Sequence, residues 1–174
     1  MRFLTIKYHY KATIKEQKIL NSLCHISKNL YNATLYQLRQ DYFTFNKIGT
    51  YFNNNKVLNN NENFHLLNTY QSICTIRSAY NMMNNFIKFS KNENGKIPRY
   101  LNKYGYYLLY SNQIRIVLHK NKKCIKLPLS NLLRTNKFYK IKYEDALINK
   151  FINELDNIKI KAIYFKIPKI IKGQ

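Results

Sequence analysis

The first hydrophobic pattern along the chain alternates with polar residues. Leu4, Ile6, Tyr8 and Tyr10 are separated by single polar residues. A period of two places these four side chains on one face of an extended chain. Residues 1–12 are therefore predicted to contain the first strand of a β-sheet domain.

Two helical patterns follow this strand. Thr13 and Glu16 have the spacing of a capping box, and leucines at helical intervals continue to about residue 43. A second apolar stripe predicts a helix over about residues 64–90. The asparagine-rich stretch between them, residues 46–63, is predicted to be a loop because asparagine side chains compete for their own backbone.

Beyond residue 95 the pattern changes to short β-like runs. A short helix is expected near residues 144–155, and the runs cover residues 106–110, 113–118, 124–129, 138–143 and 158–167. One strand before the helices and several after them predict an α+β fold. In this fold a small β-barrel, made of residues 1–12 and 96–174, is interrupted by an inserted helical domain of two or more helices over residues 13–95.

The charge balance is the strongest global signal in the sequence. The chain has 30 Lys and Arg against 8 Asp and Glu, which gives a net charge of +22. Such a surplus repels itself unless a polyanion neutralises it. AT-rich codon usage explains part of the lysine content, but it does not explain the scarcity of acids. A basic protein whose charge serves solubility or contact with a membrane surface is the alternative.

The three cysteines indicate whether the protein is in a reducing or an oxidising compartment. Cys24, Cys74 and Cys124 are far apart, which fits reduced thiols better than a disulfide framework. The N-terminus lacks a signal-peptide pattern, and no stretch approaches the length of a transmembrane helix. We expect a cytoplasmic protein of bacterial type, associated with the nucleoid.

No complete catalytic or metal site is evident in the sequence. The eight acids do not suggest the converging carboxylates that a two-metal nuclease needs. Cys24 and His25 are adjacent and lack the spacing of a zinc site. The four glycines form no phosphate-binding loop. We therefore expect no enzymatic activity of the chain alone, no metal and no cofactor.

Cations interleaved with aromatic residues recur along the chain. The segments are Lys7–Lys11, Arg99-Tyr100, Lys103-Tyr104, Lys137–Lys140 and Lys142-Tyr143. Lys and Arg attract phosphates and flat rings stack on unpaired bases, so the pattern favours binding to single-stranded nucleic acid or to a guide duplex. The alternative for any one tyrosine is a place in the core or on a strand.

Five segments of the chain occur in a distinctive order: Thr13–Leu20, Tyr31–Leu35, Gln71–Phe86, Lys96–Tyr100 and Ile125–Pro128. Taken in this order, they resemble the front half of the TnpB-type RNA-guided nucleases of transposons. The start of that family is described as a helix-turn-helix. The resemblance implies a wedge-like oligonucleotide-binding barrel with an inserted helical recognition lobe, which holds a guide RNA and reads a short motif beside the target DNA.

The resemblance also supplies candidate contacts with nucleic acid. Tyr31, Asn32 and Gln71 match helix positions near the nucleic acid, although Tyr31 could be core and Asn32 a packing amide. Arg77, Lys96 and Arg99 are predicted phosphate contacts. The lysines of the first basic motif and of a later turn complete the predicted interface: Lys7, Lys11, Lys122 and Lys123.

The family continues into a RuvC-like nuclease and a zinc finger, whereas this chain stops at Gln174. The expectation is a nucleic-acid-binding fragment of RNA or DNA specificity. The cutting half would be lost, or encoded separately as a partner, or absent because the binding half is kept alone. A decayed product without function and a regulator that binds its own DNA or RNA remain as alternatives.

Overall fold

The computed structural model describes residues 12–89, 95–111, 115–119, 122–127, 129–135 and 163–166. These residues are mostly helical. In chain order the elements are α1 (Ile14–Phe45), α2 (Tyr51–Leu58), α3 (Glu62–Leu66), α4 (Thr69–Phe89), β1 (Arg115–His119), β2 (Lys122–Leu127), α5 (Asn131–Thr135) and β3 (Ile163–Lys166).

Helix α1 begins at the predicted capping box. The Thr13 hydroxyl accepts from the Glu16 N–H at 3.3 Å, and the Glu16 carboxylate accepts from the Thr13 N–H at 2.8 Å. Two backbone donors that the first turn leaves free are thereby paired. Asn46 caps the C-terminal end of the helix; it is left-handed with φ 50° and donates its N–H to the Tyr42 carbonyl. The predicted helix over residues 13–43 is confirmed.

The loop predicted over residues 46–63 is wrong, because that stretch contains α2 and the start of α3. Its asparagines bind backbone groups at helix starts. Asn54 is buried and donates to the carbonyls of Gly49 and Thr50, at 3.2 and 3.0 Å. Asn61 accepts from the Asn63 N–H at 3.0 Å and caps α3. The affinity of asparagine for nearby backbone disfavours helix interiors but favours helix ends.

The second long helix is shorter than predicted. The predicted span of residues 64–90 is broken after Leu66, and α4 begins at Thr69. Asn68 marks the break, since its side-chain oxygen accepts from the Tyr70 N–H at 3.1 Å.

The two long helices pack side by side and run in the same direction. Ser27 of α1 hydrogen-bonds Thr75 of α4 at 3.0 Å, and further along both helices the Tyr42 and Phe86 rings lie 5.7 Å apart. Helices α2 and α3 connect the C-terminal end of α1 to the N-terminal end of α4. The largest fully buried apolar side chains at the centre are Leu23, Ile26, Leu30, Leu35, Leu38, Leu66, Leu67, Ile76 and Met83.

Residues 96–111, here called the strap, lie along α1 in the opposite direction. Leu101 is bonded to Asn32, Lys103 to Lys28 and Tyr107 to Cys24, so rising strap numbers meet falling α1 numbers. Ile97, Leu101 and Tyr107 pack on the buried side chains of α1 and α4. The strand predicted over residues 106–110 is wrong. An alternating pattern fits any extended chain with one face buried, and here helices cover that face.

The predicted fold class, an α+β protein built on a β-barrel, is contradicted. Within the described residues, strand is confined to three short antiparallel segments in the order β1-β2-β3, and these residues form no barrel. β1 and β2 overlap the runs predicted over residues 113–118 and 124–129, and β3 lies within the run predicted over residues 158–167. The other predicted barrel elements, residues 1–11, 138–143 and the helix over 144–155, lie outside the described residues.

None of the described helices is both long and apolar enough to cross a membrane.

Candidate nucleic-acid interface

Side chains of α1 hold the strap by its backbone. Asn32 makes two bonds with Leu101, accepting from its N–H at 2.9 Å and donating to its carbonyl at 3.0 Å. Three other α1 side chains each donate to one strap carbonyl: Ser27 to Leu108 (2.9 Å), Lys28 to Lys103 (2.7 Å) and Arg39 to Pro98 (3.4 Å). Because these anchors use the strap backbone, the strap's outward side chains take no part in them.

Lys28 is a cation placed in the interior. Its side chain is 3% exposed, and its ammonium donates to the Lys103 carbonyl. A buried charge requires polar partners, because removal from water is otherwise costly. Lys28 therefore belongs to the attachment of the strap and is not available to a phosphate at the surface.

Tyrosine hydroxyls attach the inner side of the strap to α4. The Tyr107 ring packs against Tyr31 with a centroid distance of 4.5 Å, and its hydroxyl lies 2.6 Å from that of Ser78. Tyr110 donates to the same Ser78 hydroxyl at 3.4 Å. Burial raises the pKa of Tyr31, and burial together with Tyr110 raises the pKa of Tyr107 to about 12. The environment on the inward face of the strap therefore favours the neutral form of the tyrosine hydroxyl.

We expect this attachment to fail in alkali. The pKa of Tyr107 is higher in the folded chain than the value of about 10 in an unfolded one. Its contribution to stability is therefore complete below about pH 10 and is lost as the pH rises through about 12. Tyr107→Phe should remove a tyrosine that titrates at about pH 12 from an ultraviolet absorbance titration while keeping the ring packing. An unchanged titration curve in this variant would contradict the assignment.

The outward side of the strap carries exposed aromatic rings. Tyr100, Tyr104 and Tyr106, here called the tyrosine row, are 44%, 70% and 59% exposed. A turn at Lys103 and Tyr104 sends both side chains outward, and Asn102 closes it by accepting from the N–H groups of Tyr104 and Gly105. These rings contribute little to the core, so the fold alone does not account for them.

The tyrosine row lies among positively charged side chains, and the strap contains no acidic residue. Lys96, Arg99 and Lys103 are exposed on the same strap, and residues 95–111 contain no Asp or Glu. The Lys103 ammonium lies 5.7 Å from the centre of the Tyr104 ring. With no carboxylate on the strap to pair with them, these cations can meet an anionic ligand directly.

Arg39 extends this surface onto α1. Its guanidinium carbon lies 4.7 Å from the centre of the Tyr100 ring and 5.7 Å from that of Phe43, which is 62% exposed. The Arg39 Nε is buried and has no hydrogen-bond partner among the described residues. Two rings and the Pro98 carbonyl thus fix a planar cation at the edge of the strap.

Of three predicted helix contacts, Tyr31 and Gln71 are buried and Asn32 is partly buried beneath the strap. Tyr31 is 5% exposed within the core, and Asn32 is an anchor of the strap. Gln71 is 2% exposed and accepts from the Asn68 N–H at 3.0 Å at the start of α4, while its Nε2 finds no partner in the described part of the chain. For Tyr31 and Asn32 the alternatives of core residue and packing amide describe the observed contacts.

The predicted cations are dispersed over several places. Lys96 and Arg99 are exposed on the strap, but Arg77 lies beside α2 with its guanidinium 5.2 Å from the Tyr51 ring. Lys122 and Lys123 begin β2, where their partners in the sheet are His119 and Leu118. Lys7 and Lys11 lie outside the described residues.

Arg39, Tyr104 and Tyr106 are missing from the predicted site residues. The pair Lys103-Tyr104 was a visible signal, and Tyr106 stands in an alternating run that pointed to a strand. Arg39 had no such signal, because its two ring partners come from α1 itself and from a segment 61 residues later (100 − 39).

No group of three His, Cys, Asp or Glu side chains that could hold a metal ion occurs in the described ranges. No family model, curated protein or solved structure matches the chain. The relationship to TnpB-type proteins therefore stays a prediction from the order of motifs.

Proposed function

We propose that this protein binds nucleic acid through the outward side of the strap and the adjoining side of α1. One observation carries the proposal: exposed tyrosines stand beside exposed Lys and Arg on a segment without acids, which α1 holds by its backbone. Cations attract the phosphates, and exposed rings offer faces for bases. The net charge of +22 supports the same proposal at long range.

The resemblance to TnpB-type proteins suggests which nucleic acid this would be. On that basis we propose a guide RNA, or DNA adjacent to the transposon, as the ligand, with no reaction performed by this chain alone. A cytoplasmic location belongs to the same proposal, since Cys24 and Cys74 are free thiols and cytoplasmic proteins rarely form disulfides.

Binding should weaken steeply with salt. Each phosphate neutralised on a single strand contributes about 0.7 to the slope of log affinity against log salt. If Lys96, Arg99, Lys103 and Arg39 each meet one phosphate, the slope is about 3, so affinity falls about 50-fold between about 50 and about 200 mM salt. Fluorescence anisotropy with a labelled oligonucleotide measures this. Absence of binding at low salt, or a flat salt dependence, would overturn the proposal.

Single substitutions locate the cations that matter. Lys103→Ala and Arg99→Ala should each lower the slope by about 0.7. Lys56→Ala is the matched control, because Lys56 is an exposed lysine on α2 and is not part of the strap. Equal losses in all three variants would indicate diffuse attraction to the whole protein and not binding at this surface.

A further inference from the structure

The tyrosine row should distinguish single-stranded from double-stranded nucleic acid, because only unpaired bases can stack on the exposed rings. We propose that the surface is built for an unpaired strand, whose bases stack on Tyr104 and Tyr106. This inference rests on the proposed function and adds the substrate class to it.

The tyrosines of the strap have two different environments. Tyr107 and Tyr110 turn inward and bind the Ser78 hydroxyl. Tyr104 and Tyr106 turn outward, and more than half of each side chain is exposed. The inward pair is explained by packing and hydrogen bonding. The outward pair leaves most of its side-chain surface in solvent, which adds little stability to the fold.

A double helix cannot use these open ring faces. In a duplex the bases are stacked on each other, and the protein meets phosphates and groove edges. In a single strand the base faces are accessible, and stacking on aromatic side chains is the usual source of affinity that does not depend on sequence. A surface for duplex alone would need the cations of the strap but not Tyr104 or Tyr106.

The order of side chains also fits a single strand. Lys103 immediately precedes Tyr104, and its ammonium stays within 5.7 Å of that ring. Arg99 precedes Tyr100, whose ring lies against the Arg39 guanidinium. Phosphates and bases alternate along an unpaired strand, so neighbouring cations and rings can engage both parts of one nucleotide.

A tryptophan probe tests stacking directly. The chain contains no tryptophan, so Tyr104→Trp places a single indole at the proposed stacking position. Its fluorescence should be strongly quenched by a thymine homopolymer strand, and much less by a duplex of equal length at the same salt. Phe52→Trp is the control, since Phe52 is 75% exposed on α2, and its fluorescence should change little with either ligand.

Affinity provides the second measurement. Tyr104→Ala and Tyr106→Ala should each weaken binding of the thymine strand about tenfold and leave duplex binding within about twofold. Tyr104→Phe and Tyr106→Phe should restore most of the loss, because stacking requires the ring and not the hydroxyl. Unchanged melting temperatures of all four variants establish that the fold is intact.

The outcomes distinguish this inference from the proposed function. If strand and duplex bind equally, and neither alanine variant loses affinity, the surface binds nucleic acid by charge alone and the inference is overturned. If neither ligand binds the unmodified protein at low salt, the proposed function itself fails. Selective loss of strand binding in the alanine variants, together with quenching of Trp at position 104, supports both.

Discussion

Asn32→Ala should lower the free energy of unfolding by about 2 kcal/mol, because it leaves both backbone groups of Leu101 without their partner. The Asn32 amide accepts from the Leu101 N–H and donates to its carbonyl, and no other hydrogen bond within the described part of the chain replaces these two. The site is partly buried, so water compensates for some of the loss. For a chain of this length the melting temperature should fall by about 4–8 °C, which calorimetry or circular dichroism measures.

Asn21→Ala is the matched control for this experiment. Asn21 lies on the same helix and is exposed, so its replacement should change stability by less than about 0.5 kcal/mol. The comparison also separates two roles for Asn32. If Asn32→Ala reduces affinity for nucleic acid at an unchanged melting temperature, Asn32 is a ligand contact, and its assignment as an anchor of the strap is wrong.

Leu30→Ala should have the largest effect on stability of any single change discussed here, at about 2–5 kcal/mol. Leu30 is fully buried in the cluster where α1 meets α3 and α4. Removing three carbon atoms there forfeits hydrophobic transfer energy and leaves a cavity that rigid helices cannot close. Denaturant unfolding should show a lower midpoint, with affinity per folded molecule unchanged.

Leu108→Ala is the control for that substitution. The residue change is identical, but the Leu108 side chain is 63% exposed on the strap, and only its carbonyl is bound to Ser27. We expect a loss below about 0.5 kcal/mol. Similar losses at both positions would mean that Leu30 does not occupy the packed centre that the structure assigns to it.

Local signals predict α1 closely. The capping box of Thr13 and Glu16 sets its start, and the leucine spacing sets its buried face, since both depend only on residues near in sequence. The strands β1 and β2 are also near their predicted places. Such elements can be inferred because the interactions that select them are made within a few residues.

The strap shows why the remaining fold could not be predicted. Its alternating residues fit a strand, but the partner that covers one face is a helix about 70 residues earlier in the chain. An alternating pattern indicates that one face of the segment is buried, but it does not identify the element that covers that face. The barrel was wrong for this reason, since it assumed that every alternating run pairs with another.

Some residues that the sequence singled out lie on the candidate surface, whereas others lie beneath the strap. Cation and aromatic pairs such as Arg99-Tyr100 and Lys103-Tyr104 do lie on the exposed strap. Tyr31 and Asn32, which the family resemblance suggested, lie beneath the strap and contact it. Sequence spacing cannot show which side of α1 the strap covers, and that choice decides whether a helix residue meets solvent.

The anchors of the strap have a consequence for how its specificity could change. Ser27, Lys28 and Asn32 recognise peptide groups, which every residue except proline supplies in full, and so they are indifferent to the identity of the outward side chains. Residues such as Tyr104 and Tyr106 can therefore be exchanged without redesign of the scaffold. The anchoring side chains of α1 must therefore be kept, whereas the outward side chains of the strap can be varied. Loops that are randomised in binding-protein libraries have the same property.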